Sequence, residues 1–412
     1  MPLLQNGTYA KKLTPGMSLA DLRPHRHCPV CDKNGTKLLF QQRFRGVEDA
    51  ALLDGYDVVS CTRCGAVFSD HLPPPQKFAE YYASASKYEF SHRGGDQHQE
   101  EKERVAGLAA WLSGKVPKDS PVLDVGCATG ELLLKLRAEG FHDLTGLDPS
   151  RQCVERARSQ HGLSMIEGVL GSCGSAHRIF GAIILSAVLE HIPDTQAFFE
   201  EIKRWLAPGG LLIVEVPDLE FFKDSRHAPF QELSVEHVNF FTAASLGNLL
   251  GRYGLKPATE RHFLCPAAPG GLTGAVLTMI AQLEGPSIPP APETVSRSAM
   301  ESYLAMCHSV LKKENEIIES LVISETPVMV WGTGTLCQRL LALGNLAKAK
   351  ITAFVDSNCH YQGKRLIGIP IIAPEEIRSK DPILITSWAF QDEISETIRK
   401  RLGLLNKIIT LR

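Results

Sequence analysis

Val122-Leu123-Asp124-Val125-Gly126-Cys127-Ala128-Thr129-Gly130 is the stretch that decides the fold. Val122 to Val125 is a short apolar run that reads as a buried strand. Gly126 and Gly130 bracket a tight loop, and Glu131-Leu-Leu-Leu-Lys-Leu then opens a helix. Leu144-Thr-Gly-Leu-Asp148 follows as a second strand that ends in an acid. Strand, loop, helix and strand make a βαβ unit with parallel strands, so the expected class is α/β with a Rossmann-like core.

The residue types in this unit point to a ligand. Gly126 and Gly130 let the backbone approach it closely, with Cys127 and Ala128 between them. Asp148 stands 24 residues after Asp124, where a carboxylate can accept both hydroxyls of an adenosine ribose. A dinucleotide loop would read G-x-G-x-x-G and present a helix N-terminus to a pyrophosphate. Here the loop begins with an acid, Asp124, and lacks that spacing. This suits a nucleoside ligand that carries a cation and no phosphate, which describes S-adenosylmethionine (SAM).

The segment resembles the class I SAM-dependent methyltransferases, whose first strand and loop read close to (V/L)LD(V/I)GCGTG. Ala128 stands where that family carries its middle glycine. Further landmarks follow in order. Ala182 to Ser186 reads as the fourth strand, with Ser186 placed in the cofactor site, and leads into Leu189-Glu190-His191-Ile192-Pro193-Asp194. Trp205-Leu-Ala-Pro-Gly-Gly210 precedes a fifth strand, Leu211 to Val216.

The chain has 412 residues, which implies two or three domains. We expect a zinc-binding and lid segment over 1–100, the SAM-binding domain over 101–260, and a Rossmann-like domain with a long linking helix over 261–412. That helix is expected from about Glu293 to Ser324, where Val295, Met300, Tyr303, Leu304, Val310, Leu311, Ile317, Ile318 and Leu321 form one apolar face. A formal net charge of -2 gives no reason to expect nucleic acid. No apolar run approaches the roughly 20 residues of a membrane helix, and MPLLQNGTYAKKL lacks a signal-peptide core. A cytoplasmic monomer or homodimer acting on a small molecule is the expectation.

Cys28-Pro-Val-Cys31 and Cys61-Thr-Arg-Cys64 form two C-x2-C pairs among 11 cysteines. Four thiolates close a tetrahedral shell, so a structural Zn2+ is expected, with a redox pair as the alternative for either couple. The gap leaves room for a hairpin, Lys37-Leu-Leu-Phe against Tyr56-Asp-Val-Val. His25 and His27 read as free surface histidines. Near the C-terminus, Val328-Met-Val-Trp-Gly332-Thr-Gly334 and a strand ending in Asp356 look like half a dinucleotide fold without its third glycine.

These three parts, in this order, resemble the sugar C-methyltransferases that act on nucleotide-linked deoxy-keto sugars. Val235-Glu236-His237-Val238-Asn239-Phe240-Phe241-Thr242 is similar to a stretch that follows the fifth strand in that family, and Asp356 to Lys364 and Ile383 to Ile394 resemble its C-terminal landmarks. A carbon beside a ketone must lose a proton before it attacks a methyl group, and histidine is the natural base near neutral pH. The resemblance implies His237 as that base, Glu236 binding sugar hydroxyls or orienting groups, His191 as donor to the enolate, and Tyr82 or Tyr88 closing the pocket. Tyrosines placed like Tyr81, Tyr82 and Tyr88 are more often packing residues at a domain junction. The sugar enzymes carry Asn four residues before the histidine after strand four, and Ala187 occupies that position here. O- or N-methylation of another small metabolite is therefore the alternative, and a non-catalytic binding protein is a third reading.

Overall fold

The computed structural model describes residues 23, 25–49, 51–84, 99–171, 178–224, 228–264 and 274–411. Strands β1 (Thr36–Arg43), β2 (Gly55–Cys61) and β3 (Val67–Asp70) come first, followed by helices α1 (Pro75–Ser84) and α2 (Gln99–Ser113). A βα alternation follows: β4 (Val122–Val125), α3 (Glu131–Ala138), β5 (Leu144–Asp148), α4 (Arg151–His161), β6 (Ser164–Glu167), β7 (Phe180–Ser186), α5 (Thr195–Trp205) and β8 (Leu206–Pro217). Next are β9 (Asn239–Phe240), α6 (Ala243–Arg252), β10 (Leu255–Leu264), β11 (Ala275–Leu283) and the long helix α7 (Val295–Ile323). The last part holds β12 (Val328–Trp331), α8 (Thr335–Leu343), β13 (Ile351–Val355), β14 (Arg365–Leu366), β15 (Ile369–Ile372), β16 (Ile383–Ile385), α9 (Gln391–Glu396) and β17 (Ile408–Thr410).

The central sheet has seven strands in the order β10-β11-β8-β7-β4-β5-β6. The five βα strands β8, β7, β4, β5 and β6 are parallel, and β11 and β10 close the other edge antiparallel. Helices cover both faces, so β4 is buried along its whole length, as its unbroken apolar run requires. One face packs α2 and α3 through Val105, Leu108, Leu112, Leu132 and Leu136. The other packs α5 and α6 through Phe199, Ile202, Trp205, Leu246 and Leu249. Asp194 caps α5 by accepting from the Ala197 N–H at 3.0 Å, and Thr242 with Ser245 forms a capping box on α6. The sheet runs on to Leu283, so the boundary expected at residue 260 falls within β10.

The first sheet has the order β1-β2-β3-β9. Its hairpin pairs Lys37 with Ser60 and Gln42 with Tyr56, in the place left for it between the cysteine pairs. The fourth strand, β9, belongs to the segment after β8 and pairs Val67 with Phe240. The two parts of the chain are therefore joined by backbone hydrogen bonds. The third sheet, β14-β15-β13-β12-β16-β17, repeats the parallel βα plan at its centre. There Thr333 donates through its N–H and its hydroxyl to one oxygen of Asp356, at 2.8 and 2.6 Å. Among the described residues no helix is long and apolar enough to cross a membrane.

Candidate active site and metal centre

The loop after β4 needs its glycines for two different reasons. Gly126 and Gly130 lie in the left-handed region, at φ 69° and 83°. A Cβ at Gly126 would also stand 2.7 Å from a methyl of Val188. Ala128, between them, has φ 47° without being glycine. This accounts for the glycine that the family prefers there, since a Cβ in that region costs roughly 1–2 kcal/mol. Ala128→Gly is expected to stabilise the folded chain by about 1 kcal/mol, read as a higher urea midpoint.

Asp148 ends β5 and holds the loop closed. One of its oxygens accepts from the Ala128 N–H and the other from the Ser150 N–H, both at 2.8 Å. Asp124, at the third position of β4, is 3% exposed. Its carboxyl is pushed up to about 8, chiefly by burial and then by Asp148, against the opposing charge of Arg104. Cys127 is buried beside the two acids. Ser186 closes β7 and donates to Glu215 at 3.0 Å while accepting from Arg104 at 3.0 Å. Two buried carboxylates and a loop of open backbone at the carboxyl edge of a parallel sheet can hold a cationic nucleoside. Arg104 and Glu215 escaped the sequence reading, because neither stands in a glycine loop or at a recognisable spacing.

A second cluster lies beside the first. His191 follows β7, and His237 precedes β9; their rings meet edge to face with centroids 5.1 Å apart. His237 Nδ1 is 3.2 Å from the Glu232 carbonyl, which can only accept. The ring proton therefore sits on Nδ1, and Nε2 carries the lone pair. Burial, and then the neighbouring His191, lower the His237 pKa below its ordinary value, so the imidazole is neutral near pH 7. His191 Nδ1 is 3.1 Å from the Glu236 carbonyl and 3.0 Å from the Tyr82 hydroxyl. The Tyr81 hydroxyl donates to Glu236 Oε1 at 2.9 Å. Burial raises both tyrosines above the usual phenol range, so they remain proton donors.

Helix α1 thus brings Tyr81 and Tyr82 to the histidines, and Tyr81, expected as a packing residue at most, meets Glu236 directly. Tyr88 lies outside the described residues. The loop bearing Glu236 and His237 is fastened by three parts of the chain. From the first sheet, the Gln42 amide donates to the Leu233 carbonyl and the Tyr56 hydroxyl to the Ser234 carbonyl, each at 2.8 Å. From α7, Tyr303 accepts the Glu232 N–H at 3.1 Å. From the C-terminal part, Arg339 lies over the Phe230 ring at 3.7 Å.

The four cysteines of the two C-x2-C pairs converge at one point. Sγ of Cys28 is 3.6 Å from that of Cys64, and Sγ of Cys31 is 3.6 Å from that of Cys61. All four sulfurs lie within 4.8 Å of one another. Tetrahedral Zn–S bonds of ~2.3 Å put sulfurs under 4 Å apart, so the group fits a zinc ion. His25 and His27 are not free: each faces a carboxylate, Asp70 at 2.8 Å and Asp32 at 3.3 Å. The four cysteines belong to the same hydrophobic core as the central sheet and α6.

A family model described as a methyltransferase domain matches residues 97–260, and a second, described as C2185-like, N-terminal, matches residues 324–409. The chain is 27% identical to C-methyltransferase NovU of Streptomyces niveus, an alignment that covers 92% of this chain and 94% of that protein. It is 31% identical to the trans-aconitate 2-methyltransferase of Methylobacterium radiotolerans over 39% of this chain and 62% of that protein's length. A solved structure, the 1,6-didemethyltoxoflavin-N1-methyltransferase of Burkholderia thailandensis, overlays with a TM-score of 0.39 at 18% identity, over 56% of this chain and 96% of that one. The segment matched as a methyltransferase domain is the one built around the loop after β4, and the NovU alignment runs through it and on to both flanking sheets. The protein is a SAM-dependent methyltransferase.

Proposed function

We propose that the protein methylates carbon beside a ketone in a nucleotide-linked deoxy sugar, with His237 as general base. One observation carries this reading. His237 presents an unprotonated Nε2 in a buried site, with its proton held on Nδ1 by the Glu232 carbonyl. Methyl transfer to a hydroxyl or amine needs no such base as strictly as transfer to carbon does. The full-length likeness to a C-methyltransferase supports the same choice.

The steps follow from the donors and acceptors. His237 Nε2 takes the proton from carbon, and the electron pair moves toward the carbonyl oxygen. Tyr82, hydrogen-bonded to His191, supplies the donor that this oxygen needs. Glu236, held by Tyr81, accepts from a sugar hydroxyl. SAM, when bound, supplies an electrophilic methyl; the new C–C bond forms as the C–S bond breaks, and S-adenosylhomocysteine leaves. Asp148 takes the ribose of SAM, Asp124 its cationic end, and the backbone of Gly126, Cys127, Ala128 and Gly130 with Ser186 frames it. Cys28, Cys31, Cys61 and Cys64 would hold a structural zinc, which would tie the first sheet together.

Asp124 makes cofactor binding depend on pH. Folding favours its protonated form, so stability is lost as pH rises from the ordinary carboxylate range through about 8. A cation binds the ionised form. SAM affinity is therefore expected to rise between about pH 6 and about pH 8 and to level off above, with proton release seen by calorimetry in buffers of different ionisation enthalpy. An affinity flat across this range contradicts the assignment of Asp124.

The alternative, transfer to oxygen or nitrogen of another small molecule, rests on Ala187. That residue has φ 56°, a conformation Asn tolerates better, and offers no side-chain amide to a sugar. Deuterium exchange separates the two. With S-adenosylhomocysteine bound and D2O as solvent, the proposed enzyme exchanges the proton beside the ketone of its sugar. A lack of exchange alongside methyl transfer in protonated buffer favours the alternative.

A further inference from the structure

Strands β2 and β3 set Asp57 directly opposite Asp70. Both are buried, at 9% and 0% exposed, and like charges in that register repel. One oxygen of each carboxylate is taken. Asp57 Oδ1 accepts from Arg43 Nη2 at 2.8 Å, and Asp70 Oδ1 accepts from the Arg26 and His71 backbone N–H groups at 2.6 and 2.8 Å. The other two oxygens face one ring. His71 Nε2 is 4.0 Å from Asp57 Oδ2 and 3.9 Å from Asp70 Oδ2, too far for a hydrogen bond. His71 Nδ1 is 2.9 Å from the Arg23 carbonyl, which can only accept. Nδ1 therefore carries the proton, and the neutral ring turns the lone pair of Nε2 toward the two acids. His25 completes the group. Its ring centroid is 4.5 Å from that of His71, and its Nδ1 is 2.8 Å from the same Asp70 Oδ2.

A lone pair and two carboxylate oxygens thus point at one another, and a cation among them turns repulsion into attraction. We propose that His25, Asp57, Asp70 and His71 bind a divalent transition-metal ion, at a site separate from the four cysteines. One donor atom each from His25, Asp70 and His71 lies within 4.8 Å of the others. Zn–N and Zn–O bonds of ~2.0–2.2 Å put tetrahedral neighbours ~3.4 Å apart, so the His71 contacts close by about half an ångström around the ion. A histidine that ligates a metal ordinarily donates its other N–H to a carbonyl or carboxylate, which aims the ring; His71 does so toward Arg23. Two imidazoles and two carboxylates, with no thiolate, suit Zn2+ and Co2+ and leave the filled site without net charge. The His25 side chain is 68% exposed, so the ion enters from solvent. Bound there, it ties the chain ahead of Cys28 to the β2–β3 hairpin. With one ligand on an exposed side chain, this is the weaker of the two metal sites.

Metal titration of the full chain tests it. The protein is dialysed against a weak chelator, which leaves the thiolate-bound zinc in place, at about one per chain. It is then titrated with Zn2+ by calorimetry and with Co2+ by visible absorption. One further equivalent of each ion is expected to bind, and the added cobalt is expected to show ligand-field bands without thiolate charge transfer. His25→Ala is the deciding variant, because an exposed side chain can be removed without damage to the fold. It is expected to weaken the added equivalent by at least about tenfold, since even groups that only orient a ligand cost that much. His71→Ala is expected to weaken it at least as much, with retention of the thiolate-bound zinc as the check that the first sheet still folds. No added equivalent in the unaltered chain, thiolate charge transfer from the added cobalt, or unchanged affinity in His25→Ala overturns the proposal.

Discussion

His237→Ala is expected to lower turnover by about 10²- to 10⁴-fold, the usual contribution of a positioned base, while SAM affinity stays within about twofold. The two sites are built on different elements, and this separates the effects. The cofactor loop follows β4 and is closed by Asp148 from β5. His237 stands on the loop before β9, fixed by Glu232, Ser234 and Gln42. His237→Gln is the sharper variant. It keeps much of the volume and a donor toward the Glu232 carbonyl, so the loop stays in place while the base is lost. The pH profile gives an independent reading. Because burial lowers the His237 pKa, the acid limb of the rate is expected below about pH 6.5. Stability has the same sign, since the imidazole is held neutral in the folded chain and is lost as pH falls below the ordinary histidine value.

Cys61→Ser is expected to remove zinc and turnover together, and to leave SAM binding in place. Structural zinc sites contribute of order 10 kcal/mol to the small folds they hold. The first sheet is short, and its β2 ends at Cys61. Through Tyr56 and Gln42 that sheet holds the Ser234 and Leu233 carbonyls, and through β3 it pairs with β9 on the other side of His237. Loss of the metal therefore reaches the base through its loop. The expected results are about one zinc per chain in the unaltered protein, less than a tenth of that in the variant, and turnover reduced by at least about tenfold, with SAM still bound in calorimetry. Full turnover in a zinc-free chain would show that the first sheet holds the loop without metal.

Much of this was legible in the sequence, and for physical reasons. A buried parallel strand reads as an unbroken apolar run, and Val122 to Val125 is one. The left-handed turn after it calls for glycine, and an acid, Asp148, stands at the end of the next strand and closes the loop. The convergence of the cysteine pairs was legible because two C-x2-C pairs can bring four thiols to one point. The apolar period of α7 likewise gave Val295–Ile323 within a few residues of the expected helix.

What was not legible depends on contacts between distant parts. β9 is two residues long, and nothing local marks it as the fourth strand of a sheet that begins 200 residues earlier. The pairing of Tyr81 with Glu236 spans 155 residues and that of Arg104 with Glu215 spans 111. Such pairs follow from the packing of layers, and a single sequence does not display them. The strands β10 and β11 lie across the boundary expected at residue 260, because the run Cys265 to Gly271 between them is rich in Pro and Gly and carries no strand pattern.

Carbon methylation is the centre of this account, and the product reports on it directly. The full chain is incubated with SAM labelled with 13C in its methyl group and with a nucleotide-linked deoxy-keto sugar, and the product is read by 13C NMR. The account predicts a labelled methyl bonded to the carbon beside the ketone, absent with His237→Gln. A labelled methyl on oxygen or nitrogen, or undiminished carbon methylation by His237→Gln, would contradict it.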